Sequence, residues 1–68
     1  MASSRASATR EGLIDATESL LREGGLVAVT TQNVARRAGV AEGTIYRHFD
    51  SRDALIVCAV RERLRGDL

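Results

Sequence analysis

Proline is absent, and Tyr46 and Phe49 are the only aromatic residues among 68. Strand-forming runs are missing as well, since Val27-Ala28-Val29 is too short to carry a sheet. These gaps predict an all-α fold. Cysteine occurs once, at Cys58, so no disulfide can staple the chain, and a lone thiol points to a reducing compartment. Cys58 and His48 are the only soft ligands and do not make a zinc set, so neither metal nor cofactor is expected. No apolar run of roughly 7–15 residues follows Met1, which excludes a visible secretory signal. No apolar stretch approaches the roughly 18 residues that span a bilayer. The expectation is a soluble cytoplasmic protein without a membrane partner.

Lysine is absent too: all ten cations are arginine, and the net charge is only +1. Composition alone therefore does not announce nucleic acid, but distribution is more informative. Arg5 and Arg10 have no acid near them in residues 1–10, and Arg36, Arg37, Arg47 and Arg52 outnumber Glu42 and Asp50 in residues 30–52. Acids gather instead at Glu11, Asp15, Glu18 and Glu23. The arginine fork suits phosphate and guanine edges; GC-rich codon usage would give the same bias. A chain this short makes one domain at most, burying only roughly 60% of its unfolded surface.

Residues 1–8 read as a small, polar, basic arm, with residues 9–68 as the domain. Leu13, Ile14, Thr17, Leu20 and Leu21 recur at three- and four-residue spacing, which predicts a helix from about Thr9 to Glu23 ended by Gly24-Gly25. Leu26 to Val29 form a connector expected to tuck apolar side chains inward. Thr30 is placed to cap a second helix, Thr31 to Ala38, with Val29 and Val34 at hydrophobic-staple spacing. Gly39 stops it. A third helix spans about Glu42 to Phe49, with Ile45 and Phe49 inward. Asp50 or Ser51 caps a fourth, Arg52 to about Arg65, whose apolar side is Leu55, Ile56, Ala59 and Val60. That helix runs out with the chain, which suggests the amino-terminal piece of a longer protein.

Two short helices around a glycine turn meet the requirements of a helix-turn-helix, whose second helix lies in the DNA major groove. Ala35 is small enough for close crossing, Gly39 supplies the positive φ of the turn, and Val34, Ala38, Val40 and Ile45 hold the pair together. The expected fold is a small orthogonal helical bundle containing this motif, followed by the start of a connecting fourth helix.

The threonine pair Thr30-Thr31, the turn VARRAGV, the reader GTIYRHF and the run DSRDAL that opens the fourth helix form a combination. The stretch from about Thr9 to Val60 resembles the DNA-binding domain of tetracycline-repressor-like (TetR-family) transcription regulators. The resemblance implies a homodimer on palindromic double-stranded DNA. It also implies a carboxy-terminal domain, absent from this chain, that dimerises and takes a small-molecule effector. The usual output is repression, relieved when the effector moves the fourth helix.

The candidate DNA-contacting residues are Thr30, Thr31, Gln32, Gly43, Thr44, Tyr46, Arg47, His48 and Arg52. Thr30 and Thr31 stand where free N–H groups favour phosphate, though Thr30 would also serve as a cap alone. Gln32 either bonds a base edge or is solvated. Gly43 lets backbone approach the duplex, and Thr44 offers a methyl or hydroxyl to a base. Tyr46 offers its hydroxyl to phosphate with its ring on the bundle, and Arg47 reads guanine or is solvated. His48 resembles the family's DNA-contacting histidine, and Arg52 its usual phosphate-binding lysine. Arg36 and Arg37 read as a solvated face. Two departures stand out: Ala41 replaces a frequent capping serine, and Glu42 replaces a frequent lysine. Catalysis has little support, since His48 and Asp50 diverge at a helix end without a nearby nucleophile. A helical interaction module is the rival that remains.

Overall fold

A computed structural model describes residues 5–66, and every regular element within them is helical. Four α-helices follow in order: α1 (Arg5–Gly24), α2 (Thr31–Ala38), α3 (Glu42–His48) and α4 (Arg52–Gly66). A single 3-10 turn, Leu26–Ala28, joins α1 to α2. α1 begins four residues before the predicted start at Thr9. Ala6 and Ala8 are the best of helix formers, and nothing between Arg5 and Thr9 breaks a helix, so α1 propagates back through them. Residues 1–4 of the expected arm lie outside the described residues.

The core assembles on α1, which packs against both α2 and α4, while α2 carries α3. Leu13, Ile14, Thr17 and Leu20 are buried along the predicted stripe, and Leu21 packs against its edge. Ala16 is buried as well, because a helix covered by two neighbours buries a wider arc than one stripe. Val29, Val34, Ala35, Ile45, Phe49, Leu55 and Ala59 complete the cluster. Thr17 is the one buried polar residue among those described, and its hydroxyl donates to the Leu13 carbonyl at 2.8 Å, so it leaves no bond unmade. Val60, expected inward, is exposed with Val57 and Leu64. These three lie on the side of α4 that no other described element covers.

The connector departs from expectation. Leu26 is 59% exposed and Val27 88%; only Val29 is fully buried. Gly25 enters the turn at φ 76°, ψ −167°, a conformation close to exclusive to glycine, and directs the next two side chains outward. The turn is fixed through its backbone instead. Asn33 Nδ2 donates to the Ala28 carbonyl at 2.9 Å, and the Arg52 guanidinium donates to the carbonyls of Leu26 and Val29. The carbonyls of Leu26 and Ala28 also accept from the backbone N–H groups of Val29 and Thr30, so the side chains of α2 and α4 add a second bond to each and supply the one given for Val29.

α1 and α2 are also tied by charge. Arg37, expected on a solvated face, forms two hydrogen bonds to the Glu23 carboxylate at 2.6 and 2.8 Å. The hydrogen bonds from Arg37 are the main reason that the Glu23 carboxyl sits below its ordinary range. A carboxyl with a depressed folded-state pKa adds stability above its unfolded value and loses it as pH falls through the folded one. Glu23→Gln should therefore be slightly less stable than the wild type at neutral pH, with the difference closing on acidification. Urea unfolding across acid pH measures this, and a gap that persists in strong acid would exclude the pair as its source.

Candidate nucleic-acid interface

The candidate interface begins at the start of α2. Thr30 is extended at φ −117°, ψ 158°, and its Oγ1 accepts from the Asn33 N–H at 3.0 Å. This is the predicted cap, worth about 1 kcal/mol. Val29 and Val34, both fully buried, staple the same turn. The cap occupies the Thr30 side chain but leaves it exposed, next to half-buried Thr31 and exposed Gln32.

Gly39 ends α2 in the left-handed region at φ 77°, ψ 31°, and its N–H and that of Val40 return to the Ala35 carbonyl. This turn aims α3. Ala41 supplies no side-chain cap to α3, as its identity predicts, and Glu42 stands in the first turn. Ile45 and Phe49 pin the inner side of α3. Phe49 itself is extended, so α3 stops at His48, one residue earlier than predicted. The outer side then carries exposed Gly43, Tyr46 and Arg47 with half-buried Thr44 and His48. Tyr46 is 55% exposed, so its hydroxyl is not committed to the core. A helix is about 10–12 Å across with its side chains, which fits a major groove about 12 Å wide.

Gly43 has no structural reason to be glycine: a Cβ added there meets nothing within 4 Å. Gly12, within α1, is equally free. Glycine costs a helix about 1 kcal/mol relative to alanine. Gly12→Ala and Gly43→Ala should each stabilise the fold by up to about that amount. Only Gly43→Ala should weaken binding to duplex DNA, by roughly tenfold for one crowded contact. Thermal melts with binding titrations check the pair, and equal DNA affinity in both variants would remove Gly43 from the interface.

Two charged residues behave in ways that residue type did not announce. Arg52 spends part of its guanidinium on the connector carbonyls and lies 3.6 Å from Asp53, with its side chain 42% exposed. Glu42 accepts a hydrogen bond from Thr31 Oγ1 at 2.5 Å, linking the starts of α2 and α3. Neither contact was readable from sequence, because the partners lie 11 to 26 residues apart. Asn33, which anchors the connector, was missed although Ala28 lies only five residues before it, because the bond depends on how the turn folds back on α2. Ser51, one of two candidates, is the α4 cap: its hydroxyl accepts from the Ala54 N–H at 3.2 Å.

Residues 13–57 match the model of a family described as bacterial regulatory proteins, tetR family. The chain belongs to that family. Among curated relatives, the TetR-family chain is 40% identical over 62 residues to the HTH-type transcriptional repressor KstR2 of Rhodococcus jostii, a match covering 91% of this chain and 28% of the relative. It is 46% identical over 59 residues to the repressor KstR of Mycobacterium tuberculosis, covering 85% and 27%. The regulator BetI of Rhizobium meliloti is 33% identical over 61 residues, covering 85% and 30%. The chain thus spans less than a third of these relatives' lengths. No solved structure matches it. The matched span takes in α2, the turn, α3 and the start of α4, so every candidate contact residue falls on family-matched sequence. The TetR family is one of regulatory proteins, not of enzymes. Among the described residues no helix is long and apolar enough to cross a membrane.

Proposed function

We propose that this chain is the DNA-reading end of a TetR-family transcription regulator that recognises a palindromic double-stranded operator as a homodimer. The observation that carries the reading is the outer side of α3. It is polar, exposed and flanked by the capped threonine start of α2, while Ile45 and Phe49 hold its other side in the core. In this reading Thr30, Thr31, Tyr46, His48 and the remaining N–H groups of Arg52 position the phosphate backbone. Gln32, Thr44 and Arg47 face base edges, and Gly43 admits the backbone close to the duplex. Arginine bidentate to guanine and a threonine methyl against thymine are the pairings these side chains favour.

The whole protein acts as a repressor in this reading, as the names of KstR and KstR2 state for those relatives. A carboxy-terminal domain would cover exposed Val57, Val60 and Leu64 of α4, dimerise, and take the small-molecule effector that relieves repression in the cytoplasm. Two copies then read half-sites about 34–36 Å apart, one turn of duplex.

Selection of bound oligonucleotides from a random pool tests the proposal. It should return one half-site motif, bound weakly by this chain as a monomer. Its log affinity should fall linearly with log salt as counterions are released. Thr44→Ala should change the motif returned. Binding that ignores salt, or a pool that never enriches, would reject the reading in favour of a helical interaction module.

A further inference from the structure

An acid opens the reader helix. Glu42 is exposed at the first position of α3, and its carboxylate accepts from Thr31 Oγ1 at the start of α2. Thr31 is itself a candidate phosphate contact, so the carboxylate stands on the edge of the molecule where the proposed function brings the DNA backbone. Among the described residues no arginine lies within ion-pair distance of Glu42. No cation among the described residues pairs with its charge, so in the groove the lone pairs that Thr31 leaves open are best met by a donor from the DNA. Base edges supply one there: the amino groups of cytosine N4 and adenine N6.

Binding without sequence preference is almost wholly attraction between cations and phosphates. A carboxylate at the leading edge subtracts from that attraction on every duplex. The loss is offset only where a base amino group meets the carboxylate. We propose that Glu42 is a specificity-determining residue: its charge penalises backbone-only binding and is compensated at a site presenting cytosine or adenine to the start of α3. The inference rests on the DNA-reading function. The bond to Thr31 strengthens it in two ways. It holds the carboxylate beside the α2 threonines instead of letting it swing into solvent, and it makes phosphate compete with Glu42 for the Thr31 hydroxyl. Discrimination of this kind comes from disfavouring the wrong partner.

Two variants separate charge from hydrogen bonding. Glu42→Gln keeps an oxygen that can accept from Thr31 but removes the charge; Glu42→Ala removes both. Each is compared with the wild-type chain, at one salt concentration, on the duplex selected from the random pool and on an unrelated duplex of equal length. One unit charge near a phosphate in water predicts that Glu42→Gln binds the unrelated duplex about three- to tenfold more tightly. The selected duplex should gain less or lose, so the ratio of the two affinities falls by at least about threefold. Glu42→Ala should shift the ratio in the same direction. Repeating the selection with Glu42→Ala, which removes the acceptor, should erase the cytosine or adenine preference at one position of the half-site. Thermal melts verify that both variants stay folded, and the glutamine variant, nearly identical in shape, keeps the test valid if alanine weakens the uncapped start of α3.

An unchanged affinity ratio for Glu42→Gln, with the wild type binding both duplexes, overturns this inference alone and leaves Glu42 as a helix-start residue. A wild-type chain that binds neither duplex overturns the DNA-reading function, and this inference with it.

Discussion

Truncating Ile45 to alanine should remove a large share of the domain's stability. Ile45 is fully buried and is the main apolar anchor of α3. Removing such a side chain costs about 2–5 kcal/mol, because a cavity is left as well as a transfer free energy lost. A domain of this size has a total stability of only about 3–10 kcal/mol. The melting temperature should fall by at least about 10 °C, since each kcal/mol is worth about 4–8 °C in a small domain. Ile45→Val removes one methylene and should cost only about 0.5–1.5 kcal/mol while keeping DNA binding, because the outer side of α3 is untouched. Far-UV circular dichroism during heating and urea titration measures both. A mild Ile45→Ala would mean that α3 is held by something other than this contact.

Arg52→Ala should produce two separable losses. The guanidinium satisfies the carbonyls of Leu26 and Val29, so its removal frees the connector and should cost about 1–2 kcal/mol, toward the low end because the side chain is partly exposed. If it makes the proposed backbone contact, Arg52→Ala should also weaken binding to all sequences about equally and flatten the salt slope by about one unit. Arg52→Lys splits the two. Lysine keeps the charge, and hence the slope, but cannot serve two carbonyls with one planar fork. The lysine variant should therefore be less stable than the wild type yet retain its salt dependence. An unchanged slope in Arg52→Ala would reject the phosphate contact, and an unchanged melting temperature would reject the structural one.

That double duty shows where sequence reading reached its limit. Local signals located α2 to the residue: a threonine that caps, valines at staple spacing and a glycine that takes positive φ each act within a few residues of one another. The inner sides of α1, α2 and α3 followed from spacing, since burial obeys helical period. The connector did not. A four-residue apolar run looks like core, yet Gly25 turns Leu26 and Val27 outward, and only backbone geometry decides that. Contacts across the chain were equally hidden. Arg37 with Glu23, Thr31 with Glu42, and Arg52 with the connector join residues whose meeting depends on how helices cross. Residue type gave the outward side of α3 but not which charges are already spoken for within the protein. The motif itself was strong because local capping, turn chemistry and apolar spacing all agreed over the same stretch.

The carbonyl anchoring of the connector has a mechanical corollary. Thr30 and Thr31 follow directly on Val29, whose carbonyl is held by Arg52 at the head of α4. The neighbouring peptide at Ala28 is held by Asn33 from α2. A tilt applied to α4 would thus reach the threonine pair through the Arg52 clamp, while Asn33 keeps the same segment tied to α2. Loosening the Arg52 clamp would leave the apolar core in place while letting the threonine edge drift out of step with α4.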